Sequence, residues 1–344
     1  MTVHDDVTTR PRNATLKDVA KLAGVSVATA SKALNGKDNV HPDTRRRVVE
    51  AAERISFTPN QLARAILGKQ TGTVGLLTHD LEGRFSIPIL MGAEDAAGAG
   101  QMSVFLCDAR GDSIREQYHL KALLSRRIDG LIVVGGQTDP RPSIGRSLPV
   151  PVVYAYAPSL DPADVSVVPD NTHGGMLAAQ HLISTGRRRI AHISGDVEYL
   201  AARERANGVQ RALADAGLPL AGGEVLYGSW SESWGRSAAL TLLDRDPQID
   251  AIVCGSDLIA RGVLDSLRDR GVDVPRDVAV IGFDNWEVLV QGSRPALTSI
   301  DMNFEALGRR AAERLIEAIA GRETPGVETL DCRLVVRGST SYGR

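Results

Sequence analysis

Apolar residues recur at helical spacing up to about residue 57 and in short β-branched runs from residue 73 onward, so the change of period divides the chain. From Thr15 to Gly36 the pattern predicts two short helices around a three-residue turn. Thr15 is placed to cap the first helix by accepting a backbone N–H bond, with Asp18 three residues on to reciprocate. Gly24 ends that helix, because the position past a helix C-terminus often needs positive φ, and Ser26 opens the next one as its N-cap. Along the second helix Ala30, Ala33 and Leu34 form a buried stripe, leaving Val27, Ala28, Ser31 and Lys32 on the other face. His41-Pro42-Asp43 starts a third helix with Val48, Ala51, Ala52 and Ile55 on one side, and Phe57 closes a small core. Pro59 breaks it, and Asn60 is placed to cap a short segment, Gln61 to Leu67, before Gly68-Lys69-Gln70-Thr71-Gly72. That segment is too short to be stable alone, so it reads as a hinge that folds when paired and docked.

From Thr73 the predicted strands are Thr73-Leu77, Val104-Cys107, Gly130-Val134, Val152-Ala155, Ile190-Ser194, Val225-Tyr227, Ala251-Gly255 and Val278-Phe283, with helix-length stretches between them. Runs apolar on both faces and separated by ten or more helical residues predict parallel sheets built from right-handed βαβ units. The number of strands implies two such sheets. The break between them falls near Asp170-Asn171, where the Pro/Ala/Asp-rich stretch from Ala157 to Asp164 and the strand Val165-Val168 lead into a new helix.

At 344 residues the chain is long enough for about two or three domains. Its net charge of −2 conceals an asymmetry: twelve Lys/Arg against five Asp/Glu between Arg10 and Gln70 leave that stretch at +7 and the remainder at −9. A basic head on an acidic body is an electrostatic footprint for a polyanion. Cys107, Cys254 and Cys332 are odd in number and lack metal-ligand spacing, which predicts reduced thiols in a cytoplasmic protein and no metal site. Met1 to Arg12 is polar, without the apolar run of a signal peptide, and reads as a disordered arm. No stretch reaches the roughly eighteen apolar residues needed to span a bilayer, so no membrane partner is expected.

The paired helices therefore read as a helix-turn-helix that binds double-stranded DNA. The small, polar outer face of the second helix suits the major groove, with Val27 and Ala28 against thymine methyls and Lys32 as donor to guanine. Thr29, Ser31 and Asn35 are placed to donate to phosphate oxygens. The plainer alternative is an amphipathic pair in an ordinary α domain; caps, turn and polar face together favour DNA.

The pattern Thr15-Leu16-x-Asp18-Val19-Ala20-x-x-Ala23-Gly24-Val25-Ser26-x-x-Thr29-x-Ser31-x-x-Leu34-Asn35, followed by Pro59-Asn60 and Gly68-Lys69, resembles the lactose-repressor (LacI/GalR) family of bacterial regulators. Asp170-Asn171, His181-Leu182, Gly186-Arg187-Arg188-x-Ile190, Ser256-Asp257, Gly282-Phe283-Asp284 and Leu297-Thr298-Ser299-Ile300 resemble the family's core signatures. The resemblance implies a homodimer on a pseudo-palindromic operator, with Val27, Ala28 and Lys32 at the base-reading positions and Ile66 as the apolar hinge residue that wedges into the minor groove. A plainer role for Ile66 is packing hinge against hinge. Thr15, Leu16, Ser26, Asn60 and Ala63 complete the DNA-contacting set implied. The expected architecture is an α helix-turn-helix headpiece over 13–58, a hinge helix and linker over 59–72, and an α/β core over 73–344 made of two Rossmann-like lobes of the type I periplasmic-binding-protein kind. The lobes are expected at about 73–170 with 301–328, and about 171–300 with 329–344.

In such a core ligands lie beyond the strand C-termini. The resemblance places Asp80, Phe85, Tyr156, Arg205, Trp230, Asp257 and Asp284 there. Carboxylates and Arg hydrogen-bond vicinal hydroxyls and an indole covers a pyranose face, a set suited to a small carbohydrate effector. Plainer roles stand beside these: Asp257 as a helix cap, Arg205 as a surface ion pair, Trp234 and Trp286 as packing aromatics. Ser256 stands where many relatives carry Asn, and Tyr156 where the lactose repressor carries Asp, so lactose-like ligands are not supported. The reading is a repressor whose operator affinity shifts with effector occupancy. The alternatives are a purine-like corepressor, an activator, a sugar carrier or an enzyme. G-x-S-x-G, H-E-x-x-H and a phosphate-binding G-x-x-x-x-G-K-[ST] are absent, so no catalytic group and no cofactor is expected.

Overall fold

Thr15 and Asp18 close a reciprocal capping box at the start of α1 (Leu16–Ala23), and Gly24 ends it at φ 65°. These are the first elements of a computed structural model that describes residues 14–34, 40–57, 70–81, 84–145 and 147–341. The chain forms two units, one through Thr71 and one from Gly72. In the first, α2 (Val27–Leu34) and α3 (Pro42–Arg54) follow, and α3 carries Pro in its first turn. Val19, Ala20, Ala23, Ala30, Ala33, Val48, Ala51 and Ala52 are buried together, with Leu16, Leu34, Ile55 and Phe57 packed around them. A core so rich in alanine draws the three helices close. Of the hinge helix and linker expected over 59–72, residues 59–69 lie outside the described residues.

The second unit alternates β1 (Thr73–Thr78), α4 (Ser86–Ala99), β2 (Ser103–Asp108), α5 (Ser113–Ser125), β3 (Gly130–Val134), β4 (Val152–Ala155) and β5 (Val165–Pro169). It continues with α6 (Asn171–Ser184), β6 (Ile190–Ile193), α7 (Leu200–Asp215), α8 (Glu232–Arg245), β7 (Ala251–Cys254), α9 (Asp257–Asp269), β8 (Ala279–Phe283) and α10 (Glu287–Gly292). The last elements are β9 (Thr298–Asp301), α11 (Phe304–Ile319), β10 (Gly326–Leu330) and β11 (Arg333–Val335). Two sheets result, ordered β10-β5-β4-β3-β1-β2 and β11-β9-β8-β7-β6. Every pairing is parallel except β11 with β9. The chain crosses between the two lobes after β5, after β9 and after β10.

The strands β1, β3, β6, β7 and β8 are buried along their whole length, as helices on both faces of a parallel sheet require. Two expectations need correction. The run at Val104-Cys107 is not buried on both faces: β2 is an edge strand, with Phe105 47% exposed. Val225-Tyr227 is no strand, because Leu226 alone bridges to Ile193 before the chain turns toward Trp230.

The helices on these sheets meet in pairs clasped by glycine. Gly92 and Gly308 join α4 to α11, Gly175 and Gly208 join α6 to α7, and Gly235 and Gly262 join α8 to α9. A Cβ at any of them would fall 1.8 to 2.2 Å from a carbonyl oxygen of the partner helix. Only glycine lets two helix backbones approach so closely. The α6–α7 clasp matters most for function, since the oxygen facing Gly175 belongs to Arg205.

Candidate functional site

On the headpiece the second helix exposes one turn of small side chains. Ser26 accepts from the Thr29 backbone N–H at 3.0 Å, and the two hydroxyls lie 2.8 Å apart. That cap leaves Val27, 42% exposed, with Ala28 and Lys32 as the outer surface of α2. Thr15 gives its hydroxyl hydrogen to Asp18 at 2.6 Å, and Leu16 is half-buried against the helix core, so both act first in building the fold. Ser31 is half-buried. Asn35, Asn60, Ala63 and Ile66 lie outside the described residues.

In the second unit the strand C-termini converge on a cavity of about 160 Å³ between the lobes, lined by Phe85, Tyr156, Arg205, Trp230 and Asp284 together with Arg84, Gly136, Gln137, Thr138, Tyr199 and Ala201. Its aromatic wall is a cluster: Phe85 lies 5.2 Å from Tyr156 and 5.0 Å from Phe304, ring centre to ring centre. Tyr156 holds φ 73°, a conformation costly for a bulky residue and met chiefly where a site over-determines it. Burial raises its phenol pKa. Across from it the Trp230 indole lies flat over Gly195, where a Cβ would fall 2.2 Å from the ring.

Arg205 is the electrostatic centre. It is buried, its guanidinium stacks 3.8 Å from the Phe283 ring centre, and it donates to Asn171 Oδ1 at 2.9 Å and to the Gly255 carbonyl at 2.6 Å. It also reaches Asp284 at 3.3 Å. Five donors in a planar fork make such a hub possible, and no lysine reproduces it. Asp284, at φ 102°, takes its second partner from the opposite lobe, Arg84. The Arg84 guanidinium sits 4.7 Å from the Phe85 ring centre and 4.9 Å from that of Trp286. A second interlobe bond runs from the Leu200 backbone N–H to Asp139 at 3.0 Å.

Three residues that line this cavity carry a buried polar atom without a protein partner: Arg84 Nη1, Thr138 Oγ1 and Trp230 Nε1. Buried polar groups are nearly always hydrogen-bonded, so a cluster of exceptions marks a place for a polar ligand.

Not every expected residue reaches it. Asp257 does not, because both its carboxylate oxygens are committed inside the lobe, to the Trp286 backbone N–H at 2.7 Å and the Ser299 hydroxyl at 2.6 Å. Ser256, not Asp257, is the N-cap of α9, accepting from the Ile259 N–H. Burial, and then the Asp284 charge, pushes the Asp257 carboxyl up to about 7. Asp80 is half-buried but is absent from the cavity wall; its backbone N–H bonds the Thr78 hydroxyl. Trp234 is a packing residue that donates to the Ser194 carbonyl at 2.9 Å. Arg84 and Thr138 carry no mark of the cavity in the sequence; a lone Arg beside Phe85 has no local signal that it will meet Asp284, two hundred residues on. Among the described residues there is no group of His, Cys, Asp and Glu fit to hold a metal, and no helix is long and apolar enough to cross a membrane.

With this geometry in hand, similarity to known proteins is specific. Residues 15–60 match the family model "Bacterial regulatory proteins, lacI family", and residues 71–337 match "Periplasmic binding proteins and sugar binding domain of LacI family". The chain is 36% identical over 338 residues to the HTH-type transcriptional regulator CelR of Thermobifida fusca, covering 96% of this chain and 99% of that one. A solved structure described as a transcriptional regulator CelR–cellobiose complex superposes with TM-score 0.63 at 32% identity, covering 95% of this chain and 100% of the other. A lac repressor dimer bound to operator and an anti-inducer superposes with TM-score 0.76 at 26% identity, covering 96% and 99%.

Proposed function

This chain belongs to the LacI family of bacterial regulatory proteins, and from that premise we propose a transcriptional repressor that binds a pseudo-palindromic operator as a homodimer and releases or tightens it when a small carbohydrate enters the interlobe cavity. The observation that carries the effector half is the set of unpartnered buried polar atoms on residues that line one small cavity walled by aromatic rings. Arg84 Nη1 and Trp230 Nε1 are donors, and the Thr138 hydroxyl is either. A ligand answering all of them carries several accepting oxygens, as a ring of hydroxyls does. Apolar ring faces beside such groups suit the C–H surface of a sugar.

Both lobes contribute to the cavity, so a ligand there favours the closed arrangement over an open one. Only that differential affinity can shift a population, and a coupling of about 1–3 kcal/mol changes operator affinity roughly 5–150-fold. The regulator works inside the cell, where its DNA is.

Footprinting of the DNA upstream of its own gene, with mono- and oligosaccharides and a purine base added in turn, tests the reading as a whole. A protected dyad whose protection changes with one class of saccharide is expected. Absence of protection on every dyad-symmetric duplex at low salt, or protection indifferent to all saccharides, refutes it. Replacing Lys32 by Ala on the exposed face of α2 is expected to cost about 1–3 kcal/mol of operator affinity and to relax preference at one base pair in each half-site. Competition binding against single-base operator variants reads this directly. Gly195→Ala drives a methyl into the Trp230 ring, so the indole has to leave its place in the cavity wall. Saccharide affinity is expected to fall about tenfold or more while operator affinity without saccharide stays at the wild-type value, measured by paired titrations.

A further inference from the structure

The part of the cavity wall formed by Gly136, Gln137 and Thr138 is a loop, residues 135–140, that leaves β3 and ends at Arg141. Thr138 carries an unpartnered buried hydroxyl, and Asp139 accepts the Leu200 N–H from the opposite lobe. Among the described residues no backbone hydrogen bond holds the loop between Gly136 and Pro140, so its path is set at its two ends. At the first end the Gly135 N–H donates to the Ala155 carbonyl at 3.1 Å. At the second, Arg141 donates its backbone N–H to the Pro158 carbonyl and accepts that of Leu160, each at 2.9 Å.

Both ends meet one cluster of polar side chains. His79, the first residue after β1, faces the Val134 carbonyl with Nδ1 at 3.2 Å and the carboxylate of Glu116 on α5 with Nε2. The Arg141 guanidinium donates to the same carboxylate oxygen at 2.7 Å, and its Nη1 lies 3.3 and 3.2 Å from the two ring nitrogens of His79. Gly136 passes beside His79, where a Cβ would lie 3.8 Å from the histidine Cβ. The three side chains are at most 20% exposed. The hydrogen bond from His79, and after it that from Arg141, holds the Glu116 carboxyl down to about 2 against the effect of burial, so the carboxylate stays charged. None of the three lines the interlobe cavity; all three line a separate groove of about 580 Å³.

We propose that His79, Glu116 and Arg141 form a clamp that positions the cavity-wall loop 135–140, and so sets both the affinity of the cavity for its ligand and the interlobe bond from Leu200 to Asp139. For the ligand the proposal rests on the saccharide reading given above; the interlobe bond is independent of it. The clamp joins the residue before the loop, through the Val134 carbonyl, to the residue after it, through the Arg141 side chain, with α5 as the fixed point. Stability is not what such a cluster supplies best, because apolar side chains of similar volume often replace a buried ion pair without loss. What they lack is direction. A binding site keeps its working geometry through directed bonds to the residues that carry it.

Calorimetric titration with mono- and oligosaccharides and hydrogen exchange at the Leu200 amide, both on the full-length protein, test the clamp in Arg141→Met, in Arg141→Lys and in Glu116→Leu combined with Arg141→Met. Arg141→Met is expected to lower affinity for the saccharide that binds the wild type about tenfold, the equivalent of one hydrogen bond to the ligand. Without saccharide, the Leu200 amide is expected to exchange about tenfold faster, since Asp139 no longer stays in place to accept it. Arg141→Lys keeps a cation for Glu116 and is expected to restore part of both. The double variant removes the ion pair as a whole, so it is expected to melt near the wild-type temperature while affinity and exchange stay impaired, which a role in stability alone does not produce. Wild-type affinity and exchange in Arg141→Met, or their recovery together with the melting temperature in the double variant, overturns the clamp and leaves the saccharide reading intact. If the wild type binds no saccharide, that reading falls and exchange at Leu200 decides the clamp: faster exchange in Arg141→Met and in the double variant upholds it, and the wild-type rate overturns it.

Discussion

Replacing Arg205 with methionine is expected to abolish the response to saccharide and to lower the stability of the core by about 3–5 kcal/mol. The side chain is buried, and its fork serves Asn171 on α6, the Gly255 carbonyl after β7 and Asp284 after β8. Methionine keeps much of the volume and none of the donors. The Gly255 carbonyl and the Asn171 amide oxygen then lose a charged partner inside the protein, and Asp284 is left to Arg84 alone. Losses of this size lower a melting temperature on the order of ten degrees in a domain of this length. Arg205→Lys separates the two effects: the charge survives and much of the stability with it, but a single ammonium cannot reproduce the planar fork, so saccharide affinity is still lost. Thermal melts and titrations on the two variants decide. Wild-type saccharide affinity in Arg205→Met removes Arg205 from the binding site.

A second large effect is expected from the smallest substitution. Gly175→Ala adds one methyl, 2.2 Å from the carbonyl oxygen of Arg205 on the facing helix. A side chain can swing away from such a clash, but a helix backbone cannot. The helix α7 has to move outward as a body, and it carries both Arg205 and Ala201 of the cavity wall. Overpacking of this kind costs about 1–3 kcal/mol, occasionally more, and here the shift also takes the guanidinium out of register with Asp284. Melting of the core is expected to fall, and saccharide affinity by more than tenfold. Gly98→Ala on α4 is the control, because a Cβ there meets nothing within 4 Å and alanine favours helix. If Gly175→Ala melts and binds like Gly98→Ala, the clasp does not position the site.

Much of this molecule is legible in its residues. The Thr15–Asp18 box, the left-handed Gly24 and the Ser26 cap are chemical requirements of three or four consecutive positions, and the structure has all of them. The strands β1, β3, β4, β7 and β8 stand where unbroken β-branched runs demand burial on both faces. Val225-Tyr227 has the same local appearance and does not become a strand, since at the sheet edge only Leu226 finds a partner. Asp257 also shows the limit. Its place at the head of α9 and after β7 is visible in the sequence, yet whether its carboxylate faces the cavity or the protein interior depends on Ser299 and the Trp286 N–H.

The residues by themselves determined the helix-turn-helix, the two βα lobes and the crossing point after β5, because caps and periodicity act between neighbours a few positions apart. Tertiary structure alone decided which polar groups share one cavity. Arg84 and Asp284 are separated by two hundred positions, and Arg205 and Gly255 by fifty. Whether a buried charge is paired, and with what, is fixed by the atoms brought around it in space, and no local pattern encodes that neighbourhood.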